Sequence, residues 1–475
     1  AHVRLLARQE RVGGGGVSYH EFLRSKQFKH PESGFDPFPV TSPLFDFQAD
    51  LVRWAVRRGR SAVFADTGLG KTRIQIEWGR QVAAYTERPV LILAPLAVAA
   101  QTVAEARICG VPAFESKDGQ FPESAALVVT NYERLHRFRT GLFGGVVLDE
   151  SSILKSYDGK TRSELIRTFG PTPYRLACTA TPAPNDHSEL GNHAEFLGIC
   201  SRVEMLAEFF VHDGGDTSSW RLKGHAKTPF WQWLSSWAAT LRRPSDLGYD
   251  DGAFLLPPLT IRQHVVESGP DDAGLLFALN ALTLLEQRQA RRASLGDRVA
   301  LASKLANGSP DPWVVWCDLN AESEALAAAI HGAVEVRGDM EIEEKERRLA
   351  DFASGRARVI VTKPSIAGYG LNWQHASNMA FVGVTHSFES FYQAVRRCWR
   401  FGQKRPVECH VITSEAEGEV VANLRRKEAL AAQMHEAMAE HVRAYVMDEV
   451  RGNKSSRVAY QPRQTMRIPE WLQAA

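Results

Sequence analysis

No two cysteines of this chain stand in C-x-x-C spacing; the six (Cys109, Cys178, Cys200, Cys317, Cys398 and Cys409) are scattered singly. That argues against zinc modules, cysteine-ligated iron–sulfur clusters and a disulfide framework, and it suits a reduced, cytoplasmic compartment. No apolar run approaches the roughly 20 residues of a membrane span. The first residues carry arginines rather than an apolar segment ahead of a cleavage pattern, so no secretion signal is read there. An excess of charge is also missing: Lys and Arg number 57 against 55 Asp and Glu, a formal balance of +2. A polyanionic partner would have to be met by locally arranged cations, not by bulk charge. The histidines show no helical metal spacing, and no short-period repeat is visible. What remains is an ordinary globular composition with apolar material for two cores, and 475 residues suggest two or three domains.

Residues 1–42 read as an irregular lead, broken by Gly13–Gly16, and residues 1–16 read as a tag or leader. From Leu51 the pattern alternates. A helical period to Arg58 is followed by apolar strands at Ser61–Ala65, Val90–Ala94, Ala126–Thr130, Gly145–Leu148 and Arg175–Cys178, with a helix over about Thr72–Tyr85. Apolar strands separated by helices imply a parallel sheet covered on both faces. The stretch 186–258, with Trp220, Trp231, Trp233 and Trp237, reads as a mainly helical insertion whose tryptophans pack rather than stack on a ligand. Alternation resumes with strands at Trp313–Cys317, Val334–Val336, Arg358–Thr362, Asn378–Gly383 and Val407–Thr413. Helices are expected at Ala321–Ile330, Glu341–Ala353 and over 414–451, with a tail at 452–475.

Three clusters carry chemistry. Ala65-Asp66-Thr67-Gly68-Leu69-Gly70-Lys71-Thr72 follows a strand and opens a helix, the setting of a phosphate-binding loop. Its glycines let several N–H groups face one anion, and the helix N-terminus adds partial positive charge. Lys71 would reach the β- and γ-phosphates, and the Thr72 hydroxyl would take Mg²⁺. The strict pattern begins with Gly, where this chain has Ala65. The strand Gly145–Leu148 runs into Asp149-Glu150, which places two carboxylates at the sheet's C-terminal edge. Asp149 suits Mg²⁺, and Glu150 suits the orientation or deprotonation of a water. Finally, Gln393–Gln403 holds Arg397 and Arg400 three apart, one helical face of two guanidiniums matched to a polyphosphate.

In this order the motifs resemble those of superfamily 2 helicase-type ATPases, most closely the Swi/Snf-type DNA translocases. The resemblance runs over about 45–415 and rests on quoted stretches. Phe47-Gln48 is similar to the adenine-reading pair, and Gly68–Thr72 to the first motif. Ala94-Pro95-Leu96 resembles motif Ia, and Thr130-Asn131-Tyr132-Glu133 the "T-x-Y-E" strand end. Asp149-Glu150-Ser151-Ser152 resembles the D-E-x-H box, with Ser152 in the place of His. Thr179–Pro182 resembles motif III, Leu241-Arg242-Arg243 and Leu256-Pro257-Pro258 the linker signatures, Gly368–Asn372 motif V, and Gln393–Gln403 motif VI.

The resemblance implies an α/β protein of two tandem RecA-like domains, 43–258 (with the insertion at 186–258) and 259–451, that hydrolyses ATP with Mg²⁺ in the cleft between them. One wall would carry Phe47, Gln48, Thr67, Gly68, Leu69, Gly70, Lys71, Thr72, Asp149 and Glu150. The other would carry Gly370, Gln393, Arg397 and Arg400. A DNA track, duplex by preference, would meet Pro95, Leu96, Thr130, Asn131, Tyr132, Thr362 and Lys363. Trp373 beside motif V is expected in the core. RNA as the track, strand separation as the output, and a motor or scaffold subunit within a larger DNA-processing complex in replication, recombination or repair stay open as alternatives. No nuclease motif and no histone-reading module is visible.

Overall fold

The structure is a computed structural model that describes residues 33–95, 98–155, 159–183, 186–213, 216–266, 292–368, 371–383, 387–414 and 426. Of the irregular lead expected over 1–42, residues 33–42 are described and form no helix or strand, while 1–32, with the leader at 1–16, lie outside; so do the helix expected over 414–451 and the tail over 452–475, apart from Ser414 and Arg426.

The first unit opens with α1 (Asp46–Arg58), β1 (Arg60–Ala65) and α2 (Lys71–Thr86), followed by β2 (Val90–Ala94), α3 (Ala99–Ile108), β3 (Ala113–Glu115), β4 (Leu127–Asn131), β5 (Gly145–Asp149), α4 (Lys160–Phe169) and β6 (Tyr174–Cys178). Its strands lie in the order β3-β4-β2-β5-β6-β1-β9, all parallel, where β9 (Ala238–Leu241) comes from the far end of the unit. Alternate residues of each strand feed two apolar layers. Phe64, Leu91, Leu93, Val146 and Leu148 face one side. Val63, Ile92, Val129, Val147 and Leu176 face the other. This period of two, with both faces buried, is why the strands read as continuous apolar runs.

The stretch expected to be a helical insertion is built otherwise. Helices α5 (Leu190–Leu197) and α6 (Arg202–Phe209) lead into an antiparallel hairpin, β7 (Phe210–Asp213) and β8 (Asp216–Leu222); α7 (Lys227–Ser235) and β9 follow. Strand β9 pairs in parallel with β1, Ala62 opposite Ala238 through Ala65 opposite Leu241, and closes the edge of the sheet. Ala-Ala-Thr-Leu is rich in strong helix formers, but a place beside a fully buried strand overrides local preference. Trp231, Trp233 and Trp237 are buried in the same apolar layer as Phe64 and Leu91, so this region belongs to the first core. Trp220 is half-buried against that layer.

The second unit runs β10 (Leu259–Val266), α8 (Leu295–Asn307), β11 (Trp313–Trp316), α9 (Asn320–Ala329), β12 (Ala333–Val336), α10 (Ile342–Ala353), β13 (Val359–Thr362), the single turn α11 (Pro364–Ala367), β14 (Asn378–Phe381), α12 (Phe388–Val395) and β15 (Val407–Ser414). Its six strands lie in the order β10-β15-β14-β11-β13-β12, again all parallel. Two layers cover it, one with Trp316, Phe352, Trp373 and Phe381, the other with Trp313, Val315, Val361 and Ile412. Two parallel-sheet units in tandem, each with helices on both faces, are the architecture of the RecA-like pair expected from the motifs. Strand β10 escaped the sequence reading because it is an edge strand with Ile261 and Val265 exposed, so it lacks a buried apolar pattern.

All six cysteines are buried and unpaired. No helix among the described residues is long and apolar enough to cross a membrane.

Candidate active site

The first wall forms where β1 and β5 end. After Ala65 the chain turns through Gly68 and Gly70, whose φ angles of 94° and 77° lie in the left-handed region, and then enters α2. Side chains at both glycines would collide. A Cβ on Gly68 would lie 2.9 Å from the Phe401 nitrogen of the second unit, and one on Gly70 would lie 2.3 Å from Gln48 Nε2. Gln48, on α1, donates to the Leu69 carbonyl at 2.9 Å and accepts from the Phe45 amide at 3.0 Å. The adenine-motif glutamine therefore braces the phosphate loop. Lys71 is buried, and its Nζ donates to the Ala65 carbonyl at 2.9 Å, back across the loop that it would share with an anion. The Thr67 hydroxyl is buried without a partner.

Phe47 is misplaced by the motif reading. It is buried against Phe254 and Tyr249, at ring distances of 5.3 and 6.3 Å. Helix α1 begins at Asp46, and Phe47 falls on its buried face with Leu51, Trp54 and Ala55. The aromatic at the cleft is Phe45, exposed, with its ring 6.3 Å from that of Phe401; Phe254 stands 4.9 Å from each.

Asp149 ends β5, buried between neighbouring strands. Gln75 of α2 donates to its Oδ1 at 2.7 Å, and the Tyr132 hydroxyl donates to its carbonyl at 2.7 Å. Glu150 has φ 56°; Glu87 is the other described non-glycine residue in the left-handed region. Such a conformation costs about 1–3 kcal/mol and persists where the surroundings over-determine it. Thr179 donates to Glu150 Oε2 at 3.3 Å, which ties motif III to the acidic pair. Burial raises the pKa of both carboxyls. For Asp149 the Gln75 hydrogen bond and Lys71 pull it back, and for Glu150 Lys71 and Arg397 do so. His193 of α5 lies 3.1 Å from Ser151 Oγ, and burial pushes its pKa down to about 4, so the imidazole is neutral there.

The second wall departs from expectation in form. Helix α12 ends at Val395, so Arg397 and Arg400 stand in the turns after it and not on one helical face. They converge by another route: Nη1 of each donates to the Leu371 carbonyl, at 3.1 and 3.0 Å. Arg397 is further fixed by Gln393, through the Gln393 carbonyl at 2.8 Å and Oε1 at 3.0 Å. The Gln393 amide nitrogen is buried without a partner. Burial, Arg397 and Arg396 push the Arg400 pKa down to about 9, while Glu150 across the cleft opposes that shift. A cation held at such a cost is relieved by an incoming polyanion. Gly370 lies outside the described residues.

The expected track residues divide. Thr130, Asn131 and Thr362 are buried at their strand ends. The Asn131 side chain accepts from the Arg134 amide at 3.0 Å, and the Thr362 hydroxyl donates to the Val336 carbonyl at 3.0 Å. The Asn131 and Thr362 side chains are engaged in the fold, whereas the Thr130 hydroxyl is buried without a partner. Tyr132 is committed to Asp149. Pro95 and Lys363 are half-buried at the strand ends, and Leu96 lies outside the described residues. Trp373 is fully buried, 5.1 Å from Phe352, in the core as expected.

Residues 299–402 match the family model of the helicase conserved C-terminal domain. That model covers the larger part of the second unit. The matched segment runs from α8 through Arg397 and Arg400, so both arginines lie inside it. No curated protein matches the chain. Among solved structures it is similar to the SWI2/SNF2 ATPase core of Sulfolobus solfataricus in complex with dsDNA, at 17% identity and a TM-score of 0.40, over 89% of this chain and 99% of that one.

Sequence reasoning missed Gln75, Tyr392, Arg396 and Asp66 as contributors. Asp66 and Arg396 had a signal, since both sit inside quoted motifs, but attention went to the glycines and Lys71 of the one and to the helical spacing of Arg397 and Arg400 in the other.

Proposed function

We propose that this helicase-type ATPase hydrolyses ATP with Mg²⁺ between its two units and uses the cycle to translocate on duplex DNA. The observation that carries the reading is the meeting of opposite charges across the cleft. Lys71, Asp149 and Glu150 stand on one side, and Arg397 and Arg400 stand close enough on the other to influence the carboxyl groups. The phosphates would lie on the loop amides of Gly68–Lys71, where the left-handed turns at Gly68 and Gly70 admit no side chain against Phe401 and Gln48. The unpartnered Thr67 hydroxyl and Gln393 amide are spare donors suited to phosphate oxygens or the attacking water.

The donor set fits Mg²⁺. The Thr72 hydroxyl and the Asp149 carboxylate, oriented by Gln75, are hard oxygen ligands, and few protein ligands are expected because the ion is shared with phosphates. When bound, the ion would neutralise phosphate charge. Glu150 would orient or deprotonate water, and Arg397 and Arg400 would stabilise the developing charge only while the cleft is closed. Because both walls hold nucleotide, ATP favours closure, and its hydrolysis removes that preference, the alternation a stepping motor needs.

The test is ATPase turnover without nucleic acid and with single-stranded DNA, duplex DNA or RNA, at one stated salt concentration. Strong stimulation by duplex DNA, together with displacement of a triplex third strand, supports the reading. Stimulation by RNA or single strands with strand displacement would replace it by unwinding.

A further inference from the structure

Helix α12 and the turn that follows it carry a second set of polar side chains beside Gln393 and Arg397. Glu389, Tyr392 and Arg396 recur at three- and four-residue spacing, one ridge over from Gln393 and Arg397. All three reach the first unit. Glu389 accepts from Lys155 and, at 3.4 Å, from the Thr181 hydroxyl. The Tyr392 hydroxyl donates to Asp66 Oδ1, and Arg396 Nη2 donates to Asp66 Oδ2 and to the Tyr392 oxygen at 3.1 Å. Asp66 belongs to the phosphate loop, and its Oδ1 also accepts from the Thr67 amide at 2.6 Å. Asp66 is 8% exposed and Arg396 7%, and the guanidinium lies 4.5 Å from the Trp399 ring centre. Desolvated ions whose partners sit on separate units can meet only when the cleft is shut.

We infer that Asp66, Tyr392 and Arg396 form a positioning latch that couples closure of the cleft to the shape of the phosphate loop and to the seating of Arg397 and Arg400. The inference rests on the ATPase reading above for its consequence in turnover, but not for its geometry. Arg396 immediately precedes Arg397, so docking Arg396 on Asp66 sets the start of the turn from which both arginines project. On the loop side, the carboxylate that receives Arg396 is the one that holds the Thr67 amide. A buried ion pair contributes little net free energy once desolvation is counted, whereas one partner left alone in the closed state is strongly unfavourable. The pair is therefore suited to reversible closure, and it selects the fully docked arrangement over a half-closed one.

The test is a double-mutant cycle of Arg396→Ala, Asp66→Ala and both together. Each single change should lower kcat about 100-fold, with KM for ATP changing much less, and the double should be no worse than the worse single. Arg396→Lys, which keeps the charge but loses the fork, should recover part of the loss. Closure is read independently by fluorescence energy transfer between labels at Arg107→Cys and Glu346→Cys, both exposed, without nucleotide. Wild type should populate the short distance, and each single variant should lose it while keeping native circular dichroism. Multiplicative losses in the double, or an unchanged distance in both singles, would overturn the latch. A wild type that closes by this pair yet hydrolyses no ATP would sink the proposed function and leave the latch standing.

Discussion

Lys71, Thr72, Asp149 and Glu150 stand at the start of a sixteen-residue helix and the end of a fully buried strand, whereas Arg397 and Arg400 stand in turns after an eight-residue helix. The first wall is held by elements that the sheet fixes on both sides. The second is held by a handful of hydrogen bonds, to the Leu371 carbonyl and to Gln393. A cleft with one rigid wall and one adjustable wall can bind nucleotide on the rigid side first. On the proposed function, the adjustable side would act only when the units close, so binding and chemistry would separate.

That separation can be broken by mutation. Lys71→Ala and Arg400→Ala should each lower turnover by about 10³-fold or more. They should differ in nucleotide affinity: Lys71→Ala loses it with turnover, while Arg400→Ala retains most of it in a fluorescent-nucleotide titration. Equal losses of affinity in both would erase the contrast between the walls.

A second contrast lies beneath the walls. Trp237 packs under the first sheet, while the backbone amide of Trp373 donates to the Arg397 carbonyl at 2.9 Å. Both side chains are fully buried, so each change to Ala should cost about 3–5 kcal/mol. Calorimetry should show the loss in different transitions. Turnover below the melting temperature should fall further for Trp373→Ala, because that residue supports the adjustable wall. A similar fall for both would mean that the walls are coupled through the cores.

The acidic pair sharpens the comparison through pH. A carboxyl whose folded-state pKa is raised by burial binds protons more tightly when folded, so its ionised form opposes folding. Glu150→Gln should therefore raise the melting temperature of the first unit at neutral pH by about 2–4 °C while abolishing turnover. The gain should be full above the raised value and should vanish as pH falls below the ordinary 4.5. A gain independent of pH would mean that the buried charge of Glu150 is not its source.

How much of this was legible in the sequence follows the same division. Strands such as Val90–Ala94 and Trp313–Trp316 announced themselves because burial on both faces demands unbroken apolar runs. The phosphate loop was legible because its glycines answer to local backbone geometry. Strand β9 was hidden, since Ala238–Leu241 is a strand only by virtue of β1 beside it. Strand β10 was hidden because half of an edge strand faces water. In the site, Phe47 turned out buried and Phe45 exposed, because a motif gives positions but not the rotation of a helix. The Asp66–Arg396 pair joins residues 330 apart in sequence, and no local pattern encodes such a meeting.

The smallest expected effects concern two threonines at matching strand ends, one in each sheet. Thr130, at the end of β4, has a buried hydroxyl without a partner, whereas Thr362, at the end of β13, donates to Val336 at 3.0 Å. Thr130→Val removes an unsatisfied group and should be neutral or slightly stabilising. Thr362→Val leaves a carbonyl without its donor and should cost about 1 kcal/mol in chemical unfolding. Neither hydroxyl is placed to meet a phosphate backbone, so duplex affinity at fixed salt should change in neither variant. A loss of DNA binding confined to one of them would identify which sheet edge carries the track. It would also mean that the edge opens in the complex, because the hydroxyl is buried in the structure described.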